Sequence, residues 1–142
     1  MEKKRFLPQI DRLFWIILSI SAAVMIPLTC LMFFPPFNAL VFFTILASDL
    51  LVAFFIISPL FGYVELREST VFIKFGIFLT REIPYAKIRE LKTGRAFYSE
   101  SIISLKNALD HVNIRYNSFD VVTVSVKNND EFIEAVNKKM NS

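Results

Sequence analysis

Residues 13–48 read LFWIILSISAAVMIPLTCLMFFPPFNALVFFTILAS and contain no charged residue, and the apolar character resumes after Asp49 as far as residue 60. A helix of ~20 mostly apolar residues crosses the ~30 Å hydrocarbon core of a bilayer, so this block is long enough for two spans. Pro35-Pro36 interrupts it, because proline lacks a backbone donor and biases the preceding residue away from helix. The block therefore predicts a transmembrane helical hairpin over residues 13–60, with helices at 13–34 and 37–60.

The charges lie on either side of this hairpin. Residues 1–12 carry four basic and two acidic side chains, and residues 61–142 carry twelve basic and ten acidic ones. The hydrophobic fraction of 54% and the mean hydropathy of +0.49 are typical of a membrane protein. A tail with nearly balanced charge argues against a polyanion-binding surface, so nucleic acid is not an expected partner. The tail is long enough for one small domain.

The basic residues at the start of the chain indicate its orientation. By the positive-inside rule they predict a multi-pass membrane protein with cytoplasmic N- and C-termini. Residues 1–12 are then a basic cytoplasmic N-terminus, and residues 61–142 are a cytoplasmic domain. A cleaved signal peptide is the alternative, but the apolar run continues past a normal signal core and a second span follows directly.

Asp49 is the one ionisable residue of the hairpin. A charged side chain at the bilayer centre costs ~2.5–3.5 kcal/mol on insertion scales, so Asp49 is expected to face protein or water. Folding the hairpin about Pro35-Pro36 places Asp49 opposite Ser21 and close to Ser19, whose hydroxyls can donate to it. We therefore predict an intramembrane polar contact among Asp49, Ser19 and Ser21. The preferred interpretation is a polar contact that holds the two helices together. Recognition of a membrane-embedded partner remains the alternative.

After residue 60 the sequence pattern changes to alternation of β-branched, aromatic and polar residues. This pattern predicts short antiparallel strands at 63–68, 70–75, 78–83, 83–95, 111–116 and 120–126, with a turn at Asn117-Ser118. The chain then switches to a helix that Asn128 or Asn129 can cap. Its apolar face comprises Phe132, Ile133, Val136 and Met140. The predicted fold is an α+β membrane protein in which the hairpin precedes a small antiparallel β-barrel or sandwich capped by the C-terminal helix.

Three passages of this tail contain motifs: residues 83–91, IPYAKIREL; residues 104–116, SLKNALDHVNIRY; and residues 124–136, VSVKNNDEFIEAV. The first is similar to an I-x-Y-x-x-I strand, the second to a segment ending in an I-x-I-x-Y strand, and the third to a strand-to-helix junction. In these motifs the tail resembles the bacterial pleckstrin-homology (PH) domain family of small membrane-attached proteins, which includes the sublancin immunity protein. The resemblance implies a PH-like domain over residues 61–142 and a location in the bacterial cell membrane.

The chain departs from the family pattern in the second and third passages. Asp110 stands where the family tends to have serine, and a common arginine is absent, with His111 lying nearby. Val126-Lys127 replaces a pair similar to Ser-Pro. The motifs that match are structural. The resemblance therefore supports the fold of the family more strongly than it supports a ligand site.

The residue types typical of catalysis are scarce. The chain has one histidine, His111, one cysteine, Cys30, within the first predicted helix, and three unclustered glycines. We therefore predict no catalytic residue, no metal site and no cofactor, and expect a protein that is not an enzyme. His111 is interpreted as a residue on the surface of a strand.

A set of five cations lies within and after the third predicted strand. Placed soon after the second span, these side chains can lie against the anionic inner leaflet at ~1 kcal/mol per cation. A solvated strand face is the alternative interpretation. The predicted lipid or partner surface comprises Arg81, Lys87, Arg89, Lys92 and Arg95.

Two classes of function remain open from the sequence. The resemblance implies bacteriocin immunity, in which the protein binds a membrane-active peptide or shields the target of that peptide. The alternative is a scaffold or assembly module of a membrane complex, or a module that binds anionic lipid. Membrane lipids and a membrane-active peptide or membrane protein are the expected partners, and self-association is left open.

Overall fold

The chain folds into three α-helices and eight β-strands within residues 4–102 and 104–142, the part that this computed structural model describes. Strand β1 (Lys4–Phe6) precedes the apolar helices α1 (Arg12–Leu31) and α2 (Ala39–Ile57), and α2 continues as a 3-10 turn (Ser58–Phe61). The other elements are β2 (Tyr63–Leu66), β3 (Thr70–Lys74), β4 (Thr80–Pro84), β5 (Ile88–Arg95), β6 (Ser104–Leu105), β7 (Asp110–Tyr116), β8 (Asp120–Val124) and α3 (Asn129–Met140). The predicted order of two apolar helices, a strand-rich region and a C-terminal helix is confirmed.

The strands form two four-stranded sheets that share one core. The first sheet has the order β1-β2-β3-β4, and the second has the order β5-β7-β8-β6, in which β6 pairs with β8 in parallel. Side chains of both sheets meet Phe132 and Val136 of α3 in a single hydrophobic cluster. The described strands do not close into a barrel, so the sandwich is the form observed. A 3-10 turn at Tyr85–Lys87 separates β4 from β5, and Pro84 has no N–H with which to continue a ladder.

Strand β1 joins the N-terminal segment to this sandwich, although the sequence pattern does not indicate a strand there. It pairs antiparallel with β2 over three residues, and Phe6 enters the core. Further along, Asp11 Oδ2 accepts a hydrogen bond from Leu109 N at 2.9 Å. From residue 4 onward, the segment expected to be a separate N-terminus thus contributes to the same folded unit as the tail. The hairpin is inserted between β1 and β2.

Helix α1 begins at a side-chain cap. Asp11 Oδ1 accepts a hydrogen bond from Phe14 N at 3.3 Å, which satisfies one of the free donors of the first turn. The helix includes Pro27 and ends at Leu31, earlier than the predicted residue 34.

Helix α2 begins in the same way. Asn38 Oδ1 accepts a hydrogen bond from Val41 N at 3.2 Å, so the helix starts at Ala39 rather than at residue 37. Its C-terminal end tightens into the 3-10 turn Ser58–Phe61, in agreement with the end that the sequence predicts near Pro59.

Most predicted strands occur where the alternation places them, and Asn117 of the predicted turn has a positive φ of 52°. The strand expected from residue 83 begins only at Ile88, since β4 continues to Pro84 and Tyr85–Lys87 form the 3-10 turn. Asn128 caps α3, as predicted, by accepting a hydrogen bond from Glu131 N at 3.2 Å. Phe132 and Val136 of the predicted apolar face are fully buried.

Candidate functional site

A groove of about 440 Å³ lies between α1 and α2, and its lining is almost entirely apolar. Two polar side chains meet there: Thr29 Oγ1 donates a hydrogen bond to Asp49 Oδ2 at 2.5 Å. Both side chains are half-buried, so the pair is accessible from the groove. The surrounding wall includes Leu18, Met25, Leu46, Leu50 and Ala53.

The partner described for Asp49 is Thr29, rather than Ser19 or Ser21, which the sequence indicated. Ser21 lines the same groove, whereas the side chain of Ser19 is exposed. Of the three predicted residues, the structure therefore brings two to the groove. That this contact lies within a membrane remains a prediction.

The change of partner follows from where the chain reverses. Phe34 N donates to Leu31 O at 3.2 Å, so tight turns extend α1 beyond its last helical residue. Phe33 packs against Phe42 with ring centroids 5.0 Å apart. The reversal therefore lies beyond Pro35-Pro36, and this moves the position opposite Asp49 along α1 from Ser21 toward Thr29. The positions of the two prolines in the sequence do not by themselves reveal this shift from Ser21 to Thr29.

The five cations of the predicted lipid or partner surface do not come together in one place. Lys87 lies in the 3-10 turn before β5, and Arg89 and Arg95 lie near opposite ends of that strand. At ~3.3 Å per residue, the separation along the strand is about 20 Å. Lys92 is exposed between them. Arg95 Nε also lies 3.7 Å from Asp110 Oδ1.

Arg81 belongs to the other sheet, on β4. Its Nη1 donates a hydrogen bond to Tyr116 Oη at 2.6 Å, and its guanidinium lies 5.8 Å from the centre of the tyrosine ring. Burial raises the pKa of the Tyr116 phenol, while the charge of Arg81 acts in the opposite direction. Arg81 thus connects β4 with the end of β7, a structural role that the sequence pattern does not reveal.

An ionic cluster on the first sheet was also not indicated by the sequence. Glu65 of β2 is almost fully buried and lies between two guanidinium groups, with Arg5 Nη2 at 3.1 Å and Arg67 Nε at 3.2 Å. Arg5 stacks over Tyr63 at 4.1 Å and Arg67 over Phe72 at 4.0 Å. These contacts fasten β1 to the sheet, because Arg5 belongs to β1 and the other residues follow the hairpin.

The prediction that His111 lies on a strand surface is wrong. The side chain is only 4% exposed, and its Nδ1 lies 2.9 Å from Leu109 O. A Cβ atom added at Gly94 on the neighbouring strand would lie 2.8 Å from His111 Nε2, so the glycine makes room for the imidazole. The alternation that marks one face of a strand as polar does not show whether another segment covers that face.

Metal-ligating residues do not cluster in the described part of the chain. Within residues 4–102 and 104–142 there is no group of three or more His, Cys, Asp or Glu side chains arranged to hold a metal ion. Cys30 is exposed on α1 as a free thiol. The expectations of no cofactor and no catalysis remain expectations.

The two-sheet sandwich closed by a C-terminal helix defines the strand-rich unit as a PH-like domain. Comparison with protein families matches residues 62–140 to the bacterial PH domain family. Because the match covers more than half of the chain, the protein belongs to this family, and the resemblance seen in the motifs is confirmed at that level. The match begins at residue 62, so β1 lies outside it. Neither a curated protein nor a solved structure matches the chain.

Proposed function

We propose that the protein is a non-enzymatic, membrane-anchored binding protein whose hairpin spans the cell membrane and whose PH-like domain is cytoplasmic. The two apolar helices, with mean hydropathies of 2.2 and 2.6, are long enough to cross a bilayer, which supports the anchoring. Pairing of β1 with β2 supports a hairpin with both ends on one side, since it brings the segments flanking the hairpin together. The basic start of the chain favours the cytoplasmic side.

The Asp49–Thr29 pair is the observation that carries the binding part of this proposal. An anchor alone has no need of a carboxyl group, and an ionised one at the bilayer centre costs ~2.5–3.5 kcal/mol. Here the carboxyl is half-buried in an open apolar groove. The groove has the chemistry to receive an apolar helix that presents a cation or a hydrogen-bond donor to Asp49.

The most specific form of the proposal is bacteriocin immunity, or self-protection at the cytoplasmic membrane. A membrane-active peptide with an apolar face and a cationic side chain suits the groove. The protein would then protect the cell by binding the peptide or by shielding its target. Two features support this proposal. The sequence motifs resemble the group of membrane-attached PH-domain proteins that includes the sublancin immunity protein, and the carboxyl of Asp49 lies in an apolar groove.

Expression in a peptide-sensitive strain, followed by challenge with a panel of membrane-active peptides, tests this proposal. We expect the parent protein to raise survival against at least one peptide, and Asp49→Ala to reduce that protection. Loss of one hydrogen bond to a charged group weakens binding about 10- to 100-fold. Ser19→Ala is the matched control, because Ser19 is exposed on α1 and lies outside the groove. Unchanged survival with every peptide contradicts immunity, and equal protection by Asp49→Ala contradicts the role of the groove.

A scaffold or assembly module of a membrane complex is the second candidate, favoured by the exposed surface of α2. That helix has no fully buried residue, and its exposed side chains, such as Leu40, Phe43 and Phe55, leave much of its surface available to lipid or to other helices. Stable co-purification with one membrane complex under mild detergent would favour this function. Anionic-lipid binding is the weaker alternative, because the five predicted cations are spread over two sheets. Salt-sensitive binding to anionic but not neutral vesicles would support it.

A further inference from the structure

Two exposed apolar loops lie at the end of the sandwich from which the hairpin leaves. The first is the β3–β4 turn, which carries Ile77, Phe78 and Leu79. The second follows β5 and carries Phe97 and Tyr98. The side chains of Phe78 and Phe97 are 79% and 70% exposed. Neighbouring large apolar side chains with this exposure are unusual on a water-facing surface and mark contact with a partner or a membrane.

The β3–β4 turn is fastened to the end of α2. Ile77 N donates a hydrogen bond to Ser58 Oγ at 3.3 Å. Gly76 has a φ of 123°, and a Cβ atom added there would clash with Ser58, so the position favours glycine. At the tip, the ring of Phe78 lies 6.0 Å from that of Phe54 in the last turn of α2. The turn therefore reaches alongside the apolar helix.

The second loop lies against the start of α1. Phe97 lines a small cavity together with Leu13 of α1 and Phe55 of α2. Lys106 Nζ donates hydrogen bonds to Ala96 O at 2.6 Å and to Phe97 O at 3.2 Å, which hold the base of the loop in place. Burial of this amine lowers its pKa. The loop thus also extends beside the hairpin.

We infer that these two loops insert into the lipid–water interface beside the hairpin and hold the PH-like domain against the bilayer. The inference rests on the proposed membrane insertion of the hairpin. Lipid is the occupant because Phe78 lies beside Phe54 of α2, and Phe97 lies beside Leu13 and Phe55, so both side chains extend the apolar surface of the two helices. Phe54 lies one turn inside the end of α2, so the first loop reaches about 5 Å along that helix. Interfacial segments bury their apolar face ~5–10 Å deep.

The far end of the sandwich supplies an internal control. Strand β7 starts beside Leu109, which donates to Asp11 at the base of α1, and runs through Tyr116 into the turn at residues 117–119. Seven residues of strand span about 20 Å. Phe119 in that turn is 96% exposed, a single aromatic at a distance from the hairpin. The inference places Phe119 in water and the two loops in lipid.

Quenching of tryptophan fluorescence by brominated lipid tests this arrangement in the full-length protein. The parent has one tryptophan, Trp15 near the start of α1, which reports whether the hairpin itself is inserted. In a Trp15→Phe background, Phe78→Trp, Phe97→Trp and Phe119→Trp are each reconstituted into phosphatidylcholine vesicles whose acyl chains are brominated near the glycerol end. We expect the tryptophans at 78 and 97 to lose emission about as strongly as Trp15, and the one at 119 to keep its emission.

The outcomes distinguish failure of the loop inference from failure of hairpin insertion. Quenching of Trp15 without greater quenching at 78 and 97 than at 119 overturns the lipid contact of the loops and leaves them to a protein partner. Equal quenching at 78, 97 and 119 also overturns it, because the domain would then lie flat on the membrane. Absence of quenching at Trp15 overturns hairpin insertion and the loop inference together.

Discussion

In helices α1 and α2 the only buried side chain is Phe14, whereas the two sheets and α3 enclose a core whose central residues have no exposed surface. The sandwich therefore supplies its own apolar environment, whereas the hairpin leaves most of its large apolar side chains exposed. The two regions also differ in sequence, since Asp49 is the one charged residue in the apolar block 13–60 and the strands alternate. Their junction is formed by β1, the loops beside the helices and the caps of α1. The sandwich is thus stabilised by its own core, and the proposed insertion into a membrane would supply the apolar surroundings that the hairpin does not supply for itself.

Removing β1 is expected to have the largest effect on the sandwich. Residues 62–142 alone lack Phe6 and the strand that pairs with β2. Since truncating one buried phenylalanine costs ~3–5 kcal/mol, we expect this fragment to lose cooperative unfolding or at least that much stability. The control replaces only the hairpin, by joining residues 4–11 to 62–142 through a flexible linker. Chemical denaturation followed by circular dichroism compares the two. Equal midpoints would show that β1 is dispensable.

A core truncation in α3 ranks next. Phe132 is fully buried and packs edge-on against Phe6, with ring centroids 5.4 Å apart. Phe132→Ala should lower the free energy of unfolding of the sandwich by ~3–5 kcal/mol, because it leaves a cavity between both sheets. Leu40→Ala, at an exposed position on α2, should leave the same transition unchanged. If both variants shift it equally in detergent, the two regions are not independently stabilised.

The ionic cluster around Glu65 should contribute less. Glu65→Gln removes the charge that Arg5 and Arg67 share, at an expected cost of ~1–3 kcal/mol. Glu90→Gln is the control, because its carboxylate is exposed 3.7 Å from Arg115 and such pairs contribute ~0–1 kcal/mol. Thermal unfolding of both variants measures the difference. A larger loss for Glu90→Gln would argue against the role of Glu65 in holding β1.

A pH effect is the smallest expected. The pKa of Glu131 on α3 is lowered from its usual 4.5, first by a hydrogen bond from Lys4 of β1 and then by the charge of Lys4. A carboxyl with a lowered folded-state pKa contributes stability that is present above 4.5 and is lost as the pH falls through the folded-state value. We expect Lys4→Ala to reduce the acid sensitivity of unfolding slightly. A steeper acid dependence in Lys4→Ala would reverse this assignment.

A helix or strand is easier to predict from the sequence when a single local signal determines it. The uncharged block predicts both apolar helices, and the asparagine cap with its apolar face predicts α3. Strand β1 is not predicted from the sequence because it has three residues, ends near Pro8, and pairs with a strand more than fifty residues away. A pattern of three residues has no measurable period.

The candidate site is predicted only in part for the same reason. An acid in an apolar helix is visible in the sequence, so Asp49 is found directly. Its partner depends on the register between two helices, which the turn geometry beyond Pro35-Pro36 decides, and Thr29 is therefore missed. Burial of His111 likewise depends on contacts from outside its own strand.

Cysteine labelling in cells tests the proposal that the hairpin lies in the membrane and the sandwich in the cytoplasm. In a Cys30→Ser background, Phe37→Cys probes the reversal between α1 and α2, and Ser118→Cys probes the far end of the sandwich. One sample of cells is treated intact with a membrane-impermeant maleimide, and a second sample is treated with it after lysis. We expect labelling of the cysteine at 37 in intact cells and of the cysteine at 118 only after lysis. Labelling of both only after lysis, or of the cysteine at 118 in intact cells, would contradict it.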